Sequence, residues 1–203
     1  MQANEKINAL IYDCEIIKAI PDHYGDDDES IDYCDGWTDF ENMGISVIGV
    51  YDIYRGMTRV FLQDNFNAFQ ALVKQRDLII GFNSISFDDL LCEANNISVR
   101  TDYDLLGQVR IATGQPPFYT KGLTRGGYSL EALAQVNLGY GKSGNGALAP
   151  VLWQRGNFGK VIDYCLLDVQ ITYELFKRRL TLKDPTNGFM LKLSDPLAGL
   201  PLD

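Results

Sequence analysis

Apolar residues in this chain first recur with the period of strands and later with that of helices. KINALIYDCEI is a continuous apolar run that reads as a buried strand ending near Asp13. Residues 21–43 are acidic and turn-rich, which predicts a surface insertion. GISVIGVYDIY (44–54) is β-branched and aromatic, and an Arg55-Gly56 turn pairs it with MTRVFLQ. Asn65 is the expected N-cap of a helix carrying Phe66, Phe69, Leu72 and Val73 on one side. DLIIGFN (77–83) predicts a short buried strand, and Ser84 or Ser86 is then expected to cap a helix over SFDDLLCEANN.

The second half is mainly helical. An extended NISVR precedes a short helix at 104–106, with Asp104 as its cap. A Gly-rich loop spans 114–128, SLEALAQVNLG forms a helix closed by Gly139, and GYGKSGNGALAP is loop-like. A long helix runs from about Asn157 to Arg179, and a proline-bearing tail from Asp184 is expected to wrap the surface. Three strands in a meander, then alternating helices and strands, predict an α/β fold with a mixed central sheet and flanking helices.

Composition narrows this to one domain: 203 residues, 46% of them hydrophobic, suit a single core. No run has the length of a membrane span and no leader pattern opens the chain, so no membrane partner and a cytoplasmic protein are expected. Cys14, Cys34, Cys92 and Cys165 are scattered, which argues against a zinc site or a disulfide framework. The net charge of −9 is local. Residues 1–41 hold 12 acids and 2 bases, against 15 acids and 16 bases in the rest. Phosphate contacts therefore remain open to the remainder of the chain.

Some carboxylates occupy positions where solvated acids do not belong. Asp13 and Glu15 end an apolar strand, and alternation puts them on one side of it. On the last helix Asp163, Gln170, Glu174 and Lys177 define a solvent face, within an arc of about 60° at 100° per residue. Asp168 lies at least about 120° from that arc, where an uncompensated charge would be costly. Tyr164, one turn earlier, points the same way. Asp88 shares a helix side with Leu91 and Cys92, whereas Asp89 shares one with Glu93 and reads as exposed. Asp13, Glu15, Asp88 and Asp168 together suit hard divalent cations, Mg²⁺ or Mn²⁺. Two such ions about 3.5–4 Å apart serve in-line phosphoryl displacement, with Tyr164 orienting the attacking water.

LIYDCEI, GFNSISFDD and YCLLD resemble the three exonuclease motifs of the DEDD (DnaQ-like) superfamily. Tyr164-x-x-x-Asp168 is similar to the last motif of its tyrosine (DEDDy) branch. LGYGKS and the stretch from Trp153 to Asp168 look like exonuclease domains related to family B polymerases and their stand-alone relatives. The resemblance spans roughly residues 7–180 and implies an RNase H-like fold. It also implies two Mg²⁺ or Mn²⁺ ions and release of 5′-mononucleotides from a free 3′ end. Single-stranded DNA is the implied substrate ahead of RNA, and a polymerase or other replication or repair protein is a possible partner.

By the same resemblance Asn83 touches the substrate strand and Phe87 wedges or packs the terminal base. A turn-capping Asn and a core Phe are equally good readings of these two residues. Lys142 is a candidate phosphate contact, and Tyr119, Tyr128 and Trp153 are stacking or core aromatics. His23, the one histidine, reads as a surface residue of the insertion. The 21–43 insertion departs from the family pattern and leaves substrate scope open. A non-catalytic nucleic-acid-binding module on the same fold is the alternative, and an RNase H-like endonuclease is a third.

Overall fold

Alternation along ALIYDCEI assigns every apolar side chain of β1 (Ala9–Ile16) to one of two cores in the computed structural model, which describes residues 7–21, 28–141 and 146–198. Ala9 and Ile11 face a cluster with Tyr103, Leu133, Val169 and Phe176. Leu10, Tyr12, Cys14 and Ile16 face a second cluster with Met43, Phe69, Leu91 and Ile97. The strand runs past its expected end near Asp13, because the antiparallel ladder to β2 (Ile45–Asp52) continues. Asp13 opposes Gly49 and Glu15 opposes Val47, and the register shifts only between Glu15 and Ile16.

β2 pairs with β3 (Met57–Phe61) in the expected hairpin. A short α1 (Phe40–Met43) precedes β2, and α2 (Phe66–Val73) leads into β4 (Leu78–Gly81). β4 runs parallel to β1 and to the two-residue β5 (Tyr103–Asp104). The five strands lie in the order β3-β2-β1-β4-β5, an α/β architecture with the expected mixed sheet. On the first core pack α4 (Leu105–Ala112), α5 (Leu130–Leu138) and α7 (Phe158–Lys177). α6 (Ala149–Gln154) precedes α7, and Ala149 joins Val47, Val161 and Cys165 in a third small cluster.

Several local expectations change. Asn65 stands at the start of α2, but its Oδ1 accepts from Leu62 N–H at 2.7 Å and so closes the preceding loop. Neither Ser84 nor Ser86 caps a helix: residues 84–86 form a 3₁₀ turn, and α3 (Asp88–Ala94) starts only after Phe87. Ser129 and Gly139 do bound α5, the first through a 3.1 Å bond to Ala132 N–H and the second with φ 80°. α6 replaces what reads as loop, with a proline in its first turn where no amide hydrogen is needed. The tail adds to the core, since Leu191 and Leu193 are buried.

The contact between β2 and α7 depends on a missing side chain. A Cβ on Gly49 would lie 2.7 Å from Cys165 Sγ and 3.3 Å from its carbonyl oxygen. Gly49→Ala should destabilise the protein by about 1–3 kcal/mol through overpacking. Urea denaturation checks this, and a change within about 0.5 kcal/mol would show that the helix moves aside easily.

Candidate metal centre

Asp13 and Glu15 continue the side of β1 that faces α7. Asp13 is half-buried and Glu15 is buried. Here β1 has an antiparallel neighbour on one side and a parallel one on the other. The β1–β4 ladder ends at Ile11 and Ile80, and the two strands part beyond it. Ligand sites in open α/β sheets favour such places, outside the carboxyl ends of strands.

Asp88 fills the parting. Its Oδ1 accepts from Cys14 N–H at 2.9 Å, so the first residue of α3 ties that helix to β1 between Asp13 and Glu15. Burial pushes the Asp88 carboxyl well above the usual carboxylate range. The Cys14 amide opposes the shift, while Cys92 and Glu15 add to it.

Asp89 is half-buried, not the exposed acid that helix periodicity predicts. Tyr12 Oη–H donates to its Oδ1, and Thr101 donates from N (3.0 Å) and Oγ1 (2.8 Å). The pair Asp88-Asp89 thus fastens α3 at two points, one to the β1 backbone and one to Tyr12 and Thr101.

The turn before α3 is also held by a carboxylate. Asp104 caps α4 through Gly107 N–H (3.1 Å), as expected, and accepts as well from Asn83 N–H (2.9 Å) and Ile85 N–H (3.2 Å). Burial raises its pKa, against the pull of these amides. Asn83 sits at φ 63°, a left-handed position that asparagine tolerates, and its side chain does not cap the 3₁₀ turn. Phe87 is half-buried, edge-on to Phe40 at 5.6 Å and to Trp37 at 6.3 Å. Trp37 itself is 69% exposed, so this aromatic group is core on one side and open on the other.

α7 brings the remaining residues. Asp168 is buried while Asp163 and Lys177 are exposed, as the helix periodicity predicts. Sequence reasoning overlooked Cys165, one turn before Asp168. Ligand atoms of Asp13, Glu15 and Cys165 lie within 4.8 Å of one another, a grouping that can hold a metal ion. Cys165 Sγ–H points at Asp13 O (3.4 Å) and Oδ2 (3.7 Å). Burial pushes its thiol well up, the charges of Asp13 and Glu15 add to this, and that of Asp168 contributes further. The shift favours the protonated thiol. Two of the three donors are carboxylate oxygens, the kind that hard divalent cations favour. Tyr164 is half-buried, with its Oη 3.1 Å from where a Cβ on Gly146 would fall. A glycine there lets residues 146–148 approach the phenol.

Lys142 and His23 lie outside the described residues. From residue 28 onward part of the charge of the acidic insertion is partnered. Asp28 pairs with Arg155 at 2.7 Å, and Asp39 accepts from Asp35 N–H and Asn42 Nδ2. Gln154 of α6 binds the insertion through its side-chain amide, accepting from Asp32 N–H and donating to the carbonyls of Asp32 and Ile17.

No family model and no curated protein matches the chain. Among solved structures it is similar to the family B DNA polymerase of the hyperthermophilic archaeon Pyrobaculum calidifontis. The TM-score is 0.57 at 17% identity, over 85% of this chain and 24% of the polymerase. The chain thus spans about a quarter of that polymerase's length. At this identity the likeness concerns the fold, and it accords with the RNase H-like arrangement of a mixed five-stranded sheet flanked by helices. Among the described residues no helix is long and apolar enough to cross a membrane.

Asp89→Ala separates a structural clamp from a surface acid. It should cost about 3 kcal/mol, since it strips a charged acceptor from three donors. Chemical denaturation measures this, and a loss below about 0.5 kcal/mol would return Asp89 to the surface class.

Proposed function

We propose that this protein is a metal-dependent 3′–5′ exonuclease of the DEDDy type. It hydrolyses single-stranded DNA, the substrate favoured here over RNA, from a free 3′ end to 5′-mononucleotides. The observation that carries this reading is the grouping of Asp13 and Glu15 with Cys165, with Asp88 bonded to the strand between the two acids and buried Asp168 one turn along the helix from Cys165. That arrangement lies in a fold shared with part of a DNA polymerase.

In this reading Asp13, Glu15, Asp88 and Asp168 hold two Mg²⁺ or Mn²⁺ ions. Such ions supply an activated water and charge stabilisation at the leaving 3′ oxygen. The work of the chain is positional. β1 fixes Asp13 and Glu15 on one face, and the Cys14 amide fixes the Asp88 rotamer. Cys165 donates toward Asp13 Oδ2, which helps to orient that carboxylate. Tyr164, one helical turn before Asp168, orients the attacking water through its phenol. The turn at Asn83 and the ring of Phe87 meet the terminal nucleotide of the substrate strand.

A time course on 5′-labelled single-stranded DNA, RNA and duplex, each with Mn²⁺ and with EDTA, tests the proposal. Stepwise shortening from the 3′ end with the metal and none with EDTA is expected, and Asp168→Ala should abolish it. Cleavage of a circular single strand would point to an endonuclease, and binding without cleavage to an accessory module.

A second test reads no activity at all. Mn²⁺ at about a hundred times its dissociation constant should raise the Tm by about 5–10 °C. Asp13→Asn should lose that rise while keeping its fold. An equal Mn²⁺ response in the variant would exclude Asp13 as a ligand.

A further inference from the structure

Across residues 105–130 the chain carries three bases, Arg110, Lys121 and Arg125, and no acid, in a protein of net charge −9. The loop within this stretch keeps large apolar side chains in solvent: Tyr119 is 71% exposed, Leu123 62% and Phe118 46%. Its backbone is nonetheless firmly held. Arg125 N–H donates to the buried Gln115 Oε1 at 2.6 Å, and Arg125 Nη2 to Thr113 O at 2.6 Å. Arg110 Nη1 donates to Pro117 O at 3.2 Å, and Thr120 N–H to Thr124 Oγ1 at 2.7 Å. Adjacent exposed aromatics on a pinned, positively charged loop match the chemistry of single-stranded nucleic acid, which offers stacking faces and phosphates together.

The loop also lies close to the candidate centre. A Cβ on Gly107 would meet Pro117 O at 3.7 Å and the Asp104 side chain at 3.6 Å. The Asp104 carboxylate in turn holds the amides of Asn83 and Ile85, in the turn that delivers Phe87 and Asp88.

We propose that residues 116–125 are a landing surface for the single-stranded nucleic acid, beyond the nucleotides at the metal centre. Phe118 and Tyr119 stack on bases, and Lys121 contacts a phosphate. This deepens the exonuclease reading by saying where the strand lies before its 3′ end enters the site.

The test is fluorescence anisotropy of the full chain with a long 5′-labelled single-stranded DNA, in EDTA so that nothing is hydrolysed. Tyr119→Ala should weaken binding about tenfold, the loss of one stacked base. Lys121→Ala should reduce the slope of log affinity against log salt by about 0.7, one phosphate contact. Both positions are exposed, so the fold is not at stake. With Mn²⁺, a dinucleotide too short to reach the loop should be cleaved by both variants at the wild-type rate.

Affinities within about twofold of wild type and an unchanged salt slope would overturn the proposal. So would a Tyr119→Ala variant that alters only self-association, measured by sedimentation, because the surface would then serve a second copy of the chain. If the wild type cleaves no dinucleotide and no longer DNA, yet Tyr119→Ala still weakens binding, the exonuclease reading fails and the landing surface stands.

Discussion

Beyond Ile11 and Ile80 the parallel ladder of β1 and β4 is over, and the Cys14 amide bonds the Asp88 carboxylate in place of a strand. A buried amide must find an acceptor, so strand divergence and carboxylate placement are one requirement. The bond fixes the start of α3 against β1 and determines how far Asp88 stands from Asp13 and Glu15. Tyr12 and Thr101 then fix the next residue, Asp89. Two adjacent acids thus play separate parts, one beside the candidate centre and one as a fastening for the helix that presents it.

The other half of the centre is set by α7 lying close on β2. Gly49 permits that approach, and Cys165 occupies the space directly above it. A thiol suits this position because it is small, buried and uncharged, and it still offers a weak donor to Asp13. A larger polar side chain would move the helix off the sheet and carry Asp168 away with it.

Much of this was legible from residues a few places apart. The period of the 157–179 segment separated Asp168 from the solvent face, and alternation put Asp13 and Glu15 on one side of a strand. Asp89 was misread because Tyr12 and Thr101, its partners, are distant in sequence, and helix periodicity sees only the helix. The two residues of β5 carry no period of their own, and they exist as a strand only because β4 lies alongside. Glycines at 139, 141, 144 and 146 hid α6, a six-residue helix held by tertiary contacts with β2 and α7. The serines before α3 suggested caps, but the chain used Asp104, some twenty residues later, to satisfy that turn's amides.

The acidic insertion leaves and rejoins the sheet at neighbouring points. Ile17 N–H bonds Met43 O and Gly44 O, and Lys18 N–H bonds Met43 O at 3.0 Å. The base of the excursion is therefore already stitched shut, whatever the chain does between. Lengthening a loop whose ends are joined adds little closure entropy, because that cost grows only logarithmically. The exposed part of this stretch can accordingly vary in length while β1 and β2 keep their register. The position behaves as a graft point, where the protein can acquire new surroundings without redrawing its acidic centre.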